Sequence, residues 1–318
     1  MCPTRRTFLR ARYLVPLLLT SSLLAACGGG GGGSSSTAAA PPPPTQTFLA
    51  QQATDGFNQF NLRRQQVGLS MLSHNAFVDK AALAHSNYQA LNDTITHTEV
   101  AGKPGFTGVN IGPPITDPSD VTNRLSVAGY QFAPGGYAYG EVIAKTGDTS
   151  GVTAANDLIT AIFHRFVIFE PVFTDAGAGA ATSASGATYF TTDFTANGLT
   201  SGLGKGHFVV YPVRDQTDIP TTFFSDSESP DPVPNANAVG FPISVHADIT
   251  STVTVTTFTV APHGGTPLAA QPLTPEGGNS AAAIIPLAVL ASGTVYDVVF
   301  KGTVDGVAAT RNWSFTTK

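Results

Sequence analysis

The pattern of apolar residues changes its period part-way along the chain. Early segments have helical spacing, so that Phe57, Phe60 and Val67 fall near one face of a predicted helix. After about Lys205 the sequence becomes rich in Thr, Val, Pro and Gly, and runs such as residues 252–255 alternate with a period of two. This change predicts a part with both helices and strands, followed by an all-β part.

The N-terminus has the composition of an export signal. Four arginines precede an apolar run that is too short to span a bilayer. The stretch Thr4–Arg10, TRRTFLR, resembles the twin-arginine export motif, and residues 24–27, LAAC, resemble a lipobox. We therefore expect residues 1–26 to be a signal peptide and Cys27 to carry a lipid anchor. Gly28, the next residue, favours the outer membrane by resemblance to other lipoproteins and leaves the periplasmic and surface faces open.

The mature chain would hold no free thiol and would carry a net negative charge. Cys2 would leave with the signal and Cys27 would carry lipid, so no disulfide, Cys nucleophile or Cys-ligated metal is expected. Removing the four signal arginines from the 16 basic residues leaves 12 against 21 acidic ones, a net charge near −9. No basic patch offsets this charge, so we expect no nucleic-acid partner.

The composition divides the exported part into a linker and two domains. Residues 27–47 are rich in Gly, Ser and Pro, which is typical of a linker. Residues 48–200 predict a mixed domain, and residues 206–318 predict a sandwich of short strands. The end of the chain, with its last predicted strand Trp313–Thr317, looks like the end of a bacterial immunoglobulin-like domain. Such domains usually serve as spacers or adhesive modules, which is an analogy of fold alone.

A set of residues spread over roughly 140 positions of the first domain matches one family in order and spacing. This pattern resembles the bacterial branch of the CAP superfamily, the SCP-like domains related to cysteine-rich secretory proteins. The resemblance implies an α-β-α sandwich with a cleft that holds two His and two acidic residues. The matching residues are Asn61, Arg64, Gly68, Leu69, Leu72, Asn75, Val78, Ala81, His85, Ser86, Tyr88, His97, Thr98, Arg124, Gly129, Tyr130, Gly140, Glu141, Ile143, Ala144, His164, Arg165, Phe173, Gly177, Gly179, Tyr189 and Phe194.

The resemblance places three of the four cleft residues, which are His97, Glu141 and His164. The fourth, an acidic residue, falls near Ala161, where the sequence offers no carboxylate. Asp157 lies two helical turns before His164 and could replace it only if the alignment slips by a turn. The site implied by the family is therefore incomplete in this chain.

Two imidazoles and a carboxylate in one cleft suit either a metal or acid–base chemistry. His97, Glu141 and His164 are therefore candidate ligands of zinc or another divalent ion, and equally candidate catalytic residues. The sequence has no Gly-x-Ser-x-Gly elbow, His-Glu-x-x-His helix or catalytic Cys, which weighs against an enzyme. We expect His85 to support the site from the core and Arg165 to fix the local loop through carbonyls or a carboxylate.

Three functions remain open. The leading hypothesis is a lipid-anchored cell-envelope protein whose CAP-like domain binds a divalent metal, a lipid or another small apolar molecule without turnover. The second is a hydrolase of peptides or envelope polymers that activates water with the His and Glu side chains. The third is a surface adhesion or display protein with an envelope or surface partner, in which the C-terminal domain serves as a stalk.

Overall fold

A computed structural model describes residues 46–112 and 115–318 of the 318-residue chain. The predicted signal peptide, Cys27 and most of the predicted linker lie outside the described residues. Helix α1 begins at Gln46, so the last two residues of the predicted linker belong to it. Within the described ranges, no helix combines the length and the apolar character needed to cross a bilayer.

The N-terminal region, residues 46–197, is a single sheet between two layers of helices. The sheet has the order β1-β3-β4-β2, in which β1 and β3 are parallel and the other pairs are antiparallel. Its helices are α1 Gln46–Val67, α2 Ala76–Asn92, α3 Val121–Ala128, α4 Gly151–Thr160 and α5 Ile162–Ile168, and its strands are β1 Ser73–His74, β2 Tyr137–Thr146, β3 Asp175–Thr182 and β4 Thr188–Asn197.

Alternation along β4 decides which helix covers each face of the sheet. Phe190 and Phe194 point to one face, where both rings contact Phe60 of α1. Thr191 lies between them in sequence and points to the other face, where it accepts a hydrogen bond from Ser86 of α2. Successive β4 side chains therefore bury against α1 on one side and α2 on the other.

Two glycines of β3 let α2 approach the sheet closely. A Cβ at Gly177 would lie 2.1 Å from the backbone nitrogen of Asp79, and one at Gly179 would lie 2.2 Å from Cα of Leu83. Any larger residue at either glycine would push α2 away from the sheet. The predicted α-β-α sandwich is confirmed for this region, and the α+β fold class is confirmed for the chain.

The C-terminal region, residues 209–317, is rich in β-structure, as predicted. It contains the sheets β10-β13-β14-β6 and β11-β12-β9-β5, together with the pair β7–β8. The immunoglobulin-like assignment stays a prediction. The strands are β5 Val209–Tyr211, β6 Gln216–Ile219, β7 Thr222–Phe224, β8 Ala238–Gly240, β9 Ile243–His246, β10 Val253–Pro262, β11 Ala270–Leu273, β12 Ala281–Pro286, β13 Val295–Val304 and β14 Val307–Thr317, and a 3₁₀ turn spans Ser225–Ser227.

The two regions share apolar cores. Phe169, which follows α5, lies 5.2 Å from the ring of Tyr211 and 5.5 Å from that of His246, both in the C-terminal region. The largest core contains side chains from both regions. A smaller one joins α5 to the C-terminal region through Ile162, Phe166, Phe223, Val233, Val239, Ala281, Ala283 and Ile285. Helix α5 is thus packed between the two regions.

Candidate functional site

The structure brings together His97 and Glu141. His97 lies on the connection between α2 and α3, and Glu141 lies near the middle of β2. Nδ1 of His97 is 2.9 Å from Oε1 of Glu141. The imidazole side chain is 39% exposed and the carboxylate side chain only 2%. The pair therefore presents an imidazole to solvent above a buried carboxylate that fixes its orientation.

Arg124, on α3, holds the other oxygen of that carboxylate. Its Nη2 donates to Oε2 of Glu141 over 2.5 Å, and its Nη1 donates to the backbone oxygen of His97 over 3.2 Å. Burial acts to raise the pKa of Glu141, but the charge of Arg124, followed by those of His85 and His97, outweighs it and lowers the pKa below its ordinary range. Glu141 is thus a carboxylate with both oxygens occupied.

His85 and Glu99 form a second, fully buried pair beside the first. Nδ1 of His85 is 3.0 Å from Oε1 of Glu99, and its Nε2 is 2.6 Å from the backbone oxygen of Thr96. Both ring nitrogens therefore face oxygen atoms of the segment that follows α2. The other oxygen of Glu99 accepts from the amide and the hydroxyl of Thr107. These bonds fix the segment that carries His97 to α2.

Asp193 on β4 lies directly opposite Glu141 in the sheet register. Its side chain is fully buried, and neither carboxyl oxygen receives a hydrogen bond from a donor among the described residues. Burial, followed by the charge of Glu141, raises the pKa of Asp193 well above its ordinary value. The position thus favours the neutral form of the Asp193 carboxyl more than an exposed position would.

A comparison with protein families identifies the domain that carries this cluster. The sequence model of the CAP family, the cysteine-rich secretory protein family, matches residues 57–194. Residues 57–194 form a CAP domain. His85, His97, Arg124, Glu141 and Asp193 all lie within it.

Solved structures of bacterial extracellular and surface proteins are among the matches to this chain. An extracellular protein from Bacillus anthracis str. Ames that contains an SCP domain is 20% identical, with a TM-score of 0.37, and the match covers 49% of this chain and 45% of that one. An outer surface protein from Borrelia burgdorferi is 15% identical, with a TM-score of 0.36, over 46% of this chain and 94% of that one. None of the curated proteins compared with the chain matches it.

His164 of the CAP domain does not lie with His97 and Glu141. It sits on α5, which packs through Val167 on Gly140 of β2. Since neighbouring residues of a strand point to opposite faces, Glu141 faces α2 and α3 on the far side of the sheet from α5. The sheet thus separates two residues that the family pattern places in one cleft.

His164 pairs instead with Glu228 from the C-terminal region. Its Nδ1 lies 3.0 Å from Oε1 of Glu228, whose side chain is completely buried. The same carboxylate accepts from the backbone amides of Ile162 and Phe163 over 2.8 Å each, and from that of His164 over 3.3 Å. The N-cap residue of α5 is Ala161, which has no side-chain acceptor. Glu228 therefore satisfies the free amides at the start of α5 in its place.

Arg165 also bonds to the C-terminal region, which sharpens its expected role. Its guanidinium is buried and donates to the backbone oxygens of Ile159, Thr160 and Pro242. It lies 4.9 Å from the ring centres of both Tyr211 and Phe241. The carbonyls predicted as its partners are present, and one of them belongs to the other region of the chain.

Asp157, considered as a replacement for the fourth acid, does not supply one. It lies on α4, where burial and then the charge of Asp148 raise its pKa. No acid of the helical segment occupies the place near Ala161, and the carboxylate that reaches His164 comes from Glu228.

The residues as placed do not fit the zinc site predicted from His97, Glu141 and His164. Across residues 46–112 and 115–318, no three His, Cys, Asp or Glu side chains are placed to share a metal ion. The bonding of Glu141 gives the reason, because one of its oxygens contacts His97 and the other contacts the guanidinium of Arg124. A side-chain cation already compensates the carboxylate that an ion would need.

Four residues of these clusters received no role from the sequence, namely Glu99, Arg124, Asp193 and Glu228. Arg124 had a detectable signal, since it stands between Val121 and Leu125 on a short segment with an apolar face, where a lone guanidinium needs a buried partner. Glu228 had no such signal, because it lies in the acidic segment SDSESPD, whose composition is typical of a solvent-exposed loop.

Proposed function

We propose that the chain is an exported, lipid-anchored cell-envelope protein whose CAP domain binds a lipid or another apolar ligand without turnover. The export and anchoring part rests on the arginine-rich N-terminus, the apolar run behind it and Cys27. The binding part rests on the surface around His97.

The bonding of Glu141 supports binding rather than catalysis. A general base needs a free lone pair within reach of the substrate, and both oxygens of Glu141 are occupied by His97 and Arg124. His97 itself is oriented as a base would be. Its ring contacts the carboxylate of Glu141, and the described residues contain no cysteine thiol beside it to act as a nucleophile.

Exposed apolar side chains near His97 are the observation that carries the ligand class. Ile95 is 56% exposed and Val100 is 57% exposed, on either side of His97 in sequence. Leu91, Val109 and Ile111 on the same stretch of chain are also exposed. Apolar exposure repeated along one stretch of chain is the kind of feature that marks a surface for a ligand or a membrane. The partly exposed imidazole on the same stretch can bond the polar end of an otherwise apolar molecule.

Titration with a fluorescent long-chain fatty acid tests the proposal. The double substitution Ile95→Ser with Val100→Ser should weaken binding by about tenfold or more, because it removes apolar contact area at the surface around His97. Val152→Ser with Val255→Ser is the matched control, since these valines are similarly exposed, at 43% and 42%, but lie elsewhere. Equal affinity for both double variants, or turnover of an ester analogue that Glu141→Gln abolishes, would contradict the proposal.

The anchor has its own test. Metabolic labelling with a radioactive fatty acid should label the wild-type protein and leave Cys27→Ser unlabelled, and the variant should move from the membrane fraction to the soluble fraction. Labelling that persists in Cys27→Ser would overturn the anchoring part and leave the binding part standing.

A further inference from the structure

We propose that Arg124 is the built-in cation of the CAP site, a positioning residue whose guanidinium holds the carboxylates of Glu141 and Glu99 beside Asp193 and so assembles the site without a metal ion. This inference is independent of the ligand proposed above. It concerns how the cluster beneath His97 is held together.

The geometry around the guanidinium carries the inference. Arg124 is completely buried, and its side chain reaches two carboxylates, with Nη2 on Glu141 and Nε 4.0 Å from Oε1 of Glu99. No described residue accepts a hydrogen bond from its Nε. A buried guanidinium is costly unless opposite charges surround it, so this position is stable only because of the acids beside it.

A side-chain cation stands among the acids of the cluster. The guanidinium of Arg124 faces the carboxylates of Glu141 and Glu99, and Asp193 lies opposite Glu141 in the sheet register. A divalent ion added beside Glu141 would meet this buried positive charge, and the repulsion would oppose binding.

Arg124 also connects this cluster to His97. One of its nitrogens donates to the backbone oxygen of His97, another bonds Glu141, and Glu141 in turn bonds the imidazole of His97. Nη1 also donates to the backbone oxygen of Ser119. A single side chain thus fixes the backbone and the ring of His97 relative to the sheet, as a shared ion would fix its ligands.

A double-substitution cycle on the full chain tests whether charge is the basis of this role. Arg124→Ala should lower the melting temperature by about 10 °C or more, because it leaves Glu141 buried and unpaired. Glu141→Gln should also lower it, and the double variant should be clearly more stable than the sum of the two losses predicts. If Arg124→Ala does not fold, recovery of folding in the double variant supports the proposal. Additive losses, or failure of the double variant to fold, would overturn it.

Chemical rescue tests whether Arg124 acts through its charge or only through the space that its side chain fills. Guanidinium ion at low millimolar concentration should raise the melting temperature of Arg124→Ala and leave the wild type unchanged, whereas urea, which has nearly the same shape and no charge, should raise neither. Equal effects of guanidinium and urea on Arg124→Ala would contradict the proposal. So would a fall in the melting temperature of the wild type on treatment with EDTA, since this would show that an ion holds the cluster.

Discussion

The molecule contains two His–Glu pairs with similar geometry, and they differ in the other groups that donate to the carboxylate. In both pairs Nδ1 of the imidazole contacts the carboxylate, at 2.9 Å for His97 and 3.0 Å for His164, and in both the carboxylate is buried. Behind Glu141 lies the guanidinium of Arg124, within one domain. Behind Glu228 lie the backbone amides that open α5, across the junction of the two regions. The first pair presents a side chain at the surface of the CAP domain, and the second joins the two regions.

This difference changes the role that we assign to the C-terminal region. A stalk would touch the CAP domain lightly, but this region supplies Glu228 to α5 and the Pro242 carbonyl to Arg165. The buried carboxyl group of Glu170 also accepts from the amide of Ile249. These contacts surround the His164–Arg165 segment, whose two polar side chains in an apolar stretch are thereby explained as joints between the regions.

Removing the carboxylates should lower the free energy of unfolding most, and the two losses should differ between the pairs. Glu141→Ala should cost about 3–5 kcal/mol of unfolding free energy, because it leaves Arg124 buried without its partner. Glu228→Ala should cost less, about 2–3 kcal/mol, because it frees neutral amides that water can reach after local fraying. Urea unfolding measures both. Asp226→Ala, on the same loop as Glu228, is the control and should cost under about 0.5 kcal/mol. If Glu228→Ala costs no more than the control, Glu228 does not hold the two regions together.

The junction should also make stability depend on pH through Glu170. Burial raises the pKa of Glu170 to about 8 from its ordinary value of 4.5, and the carboxylate of Asp248 adds to the rise. In this window the folded chain keeps a proton that the unfolded chain releases, so stability is greatest below about pH 4.5 and falls as the pH rises towards 8.

Glu170→Gln should remove that dependence. The variant should match the wild type near pH 4.5 and exceed it by about 4 kcal/mol at pH 8, since the amide keeps an oxygen for the amides of Val172 and Ile249 without a charge. Unfolding curves at the two pH values measure this. Glu276→Gln, on a loop of the C-terminal region, should show no such divergence. An equal effect of Glu170→Gln at both pH values would contradict the assignment.

A smaller effect is expected at Asp193. Burial raises the pKa of Asp193 well above its ordinary value and so favours the neutral form, which an amide resembles. Asp193→Asn should therefore change the unfolding free energy by less than about 1 kcal/mol at pH 7. The matched change Glu141→Gln should cost several times as much, since it removes the charge that faces Arg124. Similar losses for the two variants would show that both carboxyls are ionised.

The imidazoles should matter least for stability. His97→Ala should cost about 0.5 kcal/mol, because its ring is 39% exposed and solvent weakens its contact with Glu141. His164→Ala should cost about 1 kcal/mol, since its ring is only 23% exposed and faces a joint. Thermal unfolding of the two variants compares them. A His97→Ala loss as large as that of Glu141→Ala would contradict a surface role for His97.

The helices and strands of the CAP domain can be predicted from the sequence better than the contacts between them. The helix ending near Val67 and the strand around Glu141 follow from periodicity, and the meeting of His97 with Glu141 follows from the family pattern. The separation of His164 does not, because a residue pattern does not show that α5 and Glu141 lie on opposite faces of the sheet. Glu228 lies 64 residues from His164 in sequence, and no local signal connects them.

Hydrogen–deuterium exchange of the full chain, with and without a saturating long-chain fatty acid, tests most directly the claim that the two His–Glu pairs have different tasks. We expect new protection in residues 94–112, around His97, and unchanged exchange in α5, where His164 and Glu228 form a joint. Protection confined to α5, or no protection in either segment, would contradict it.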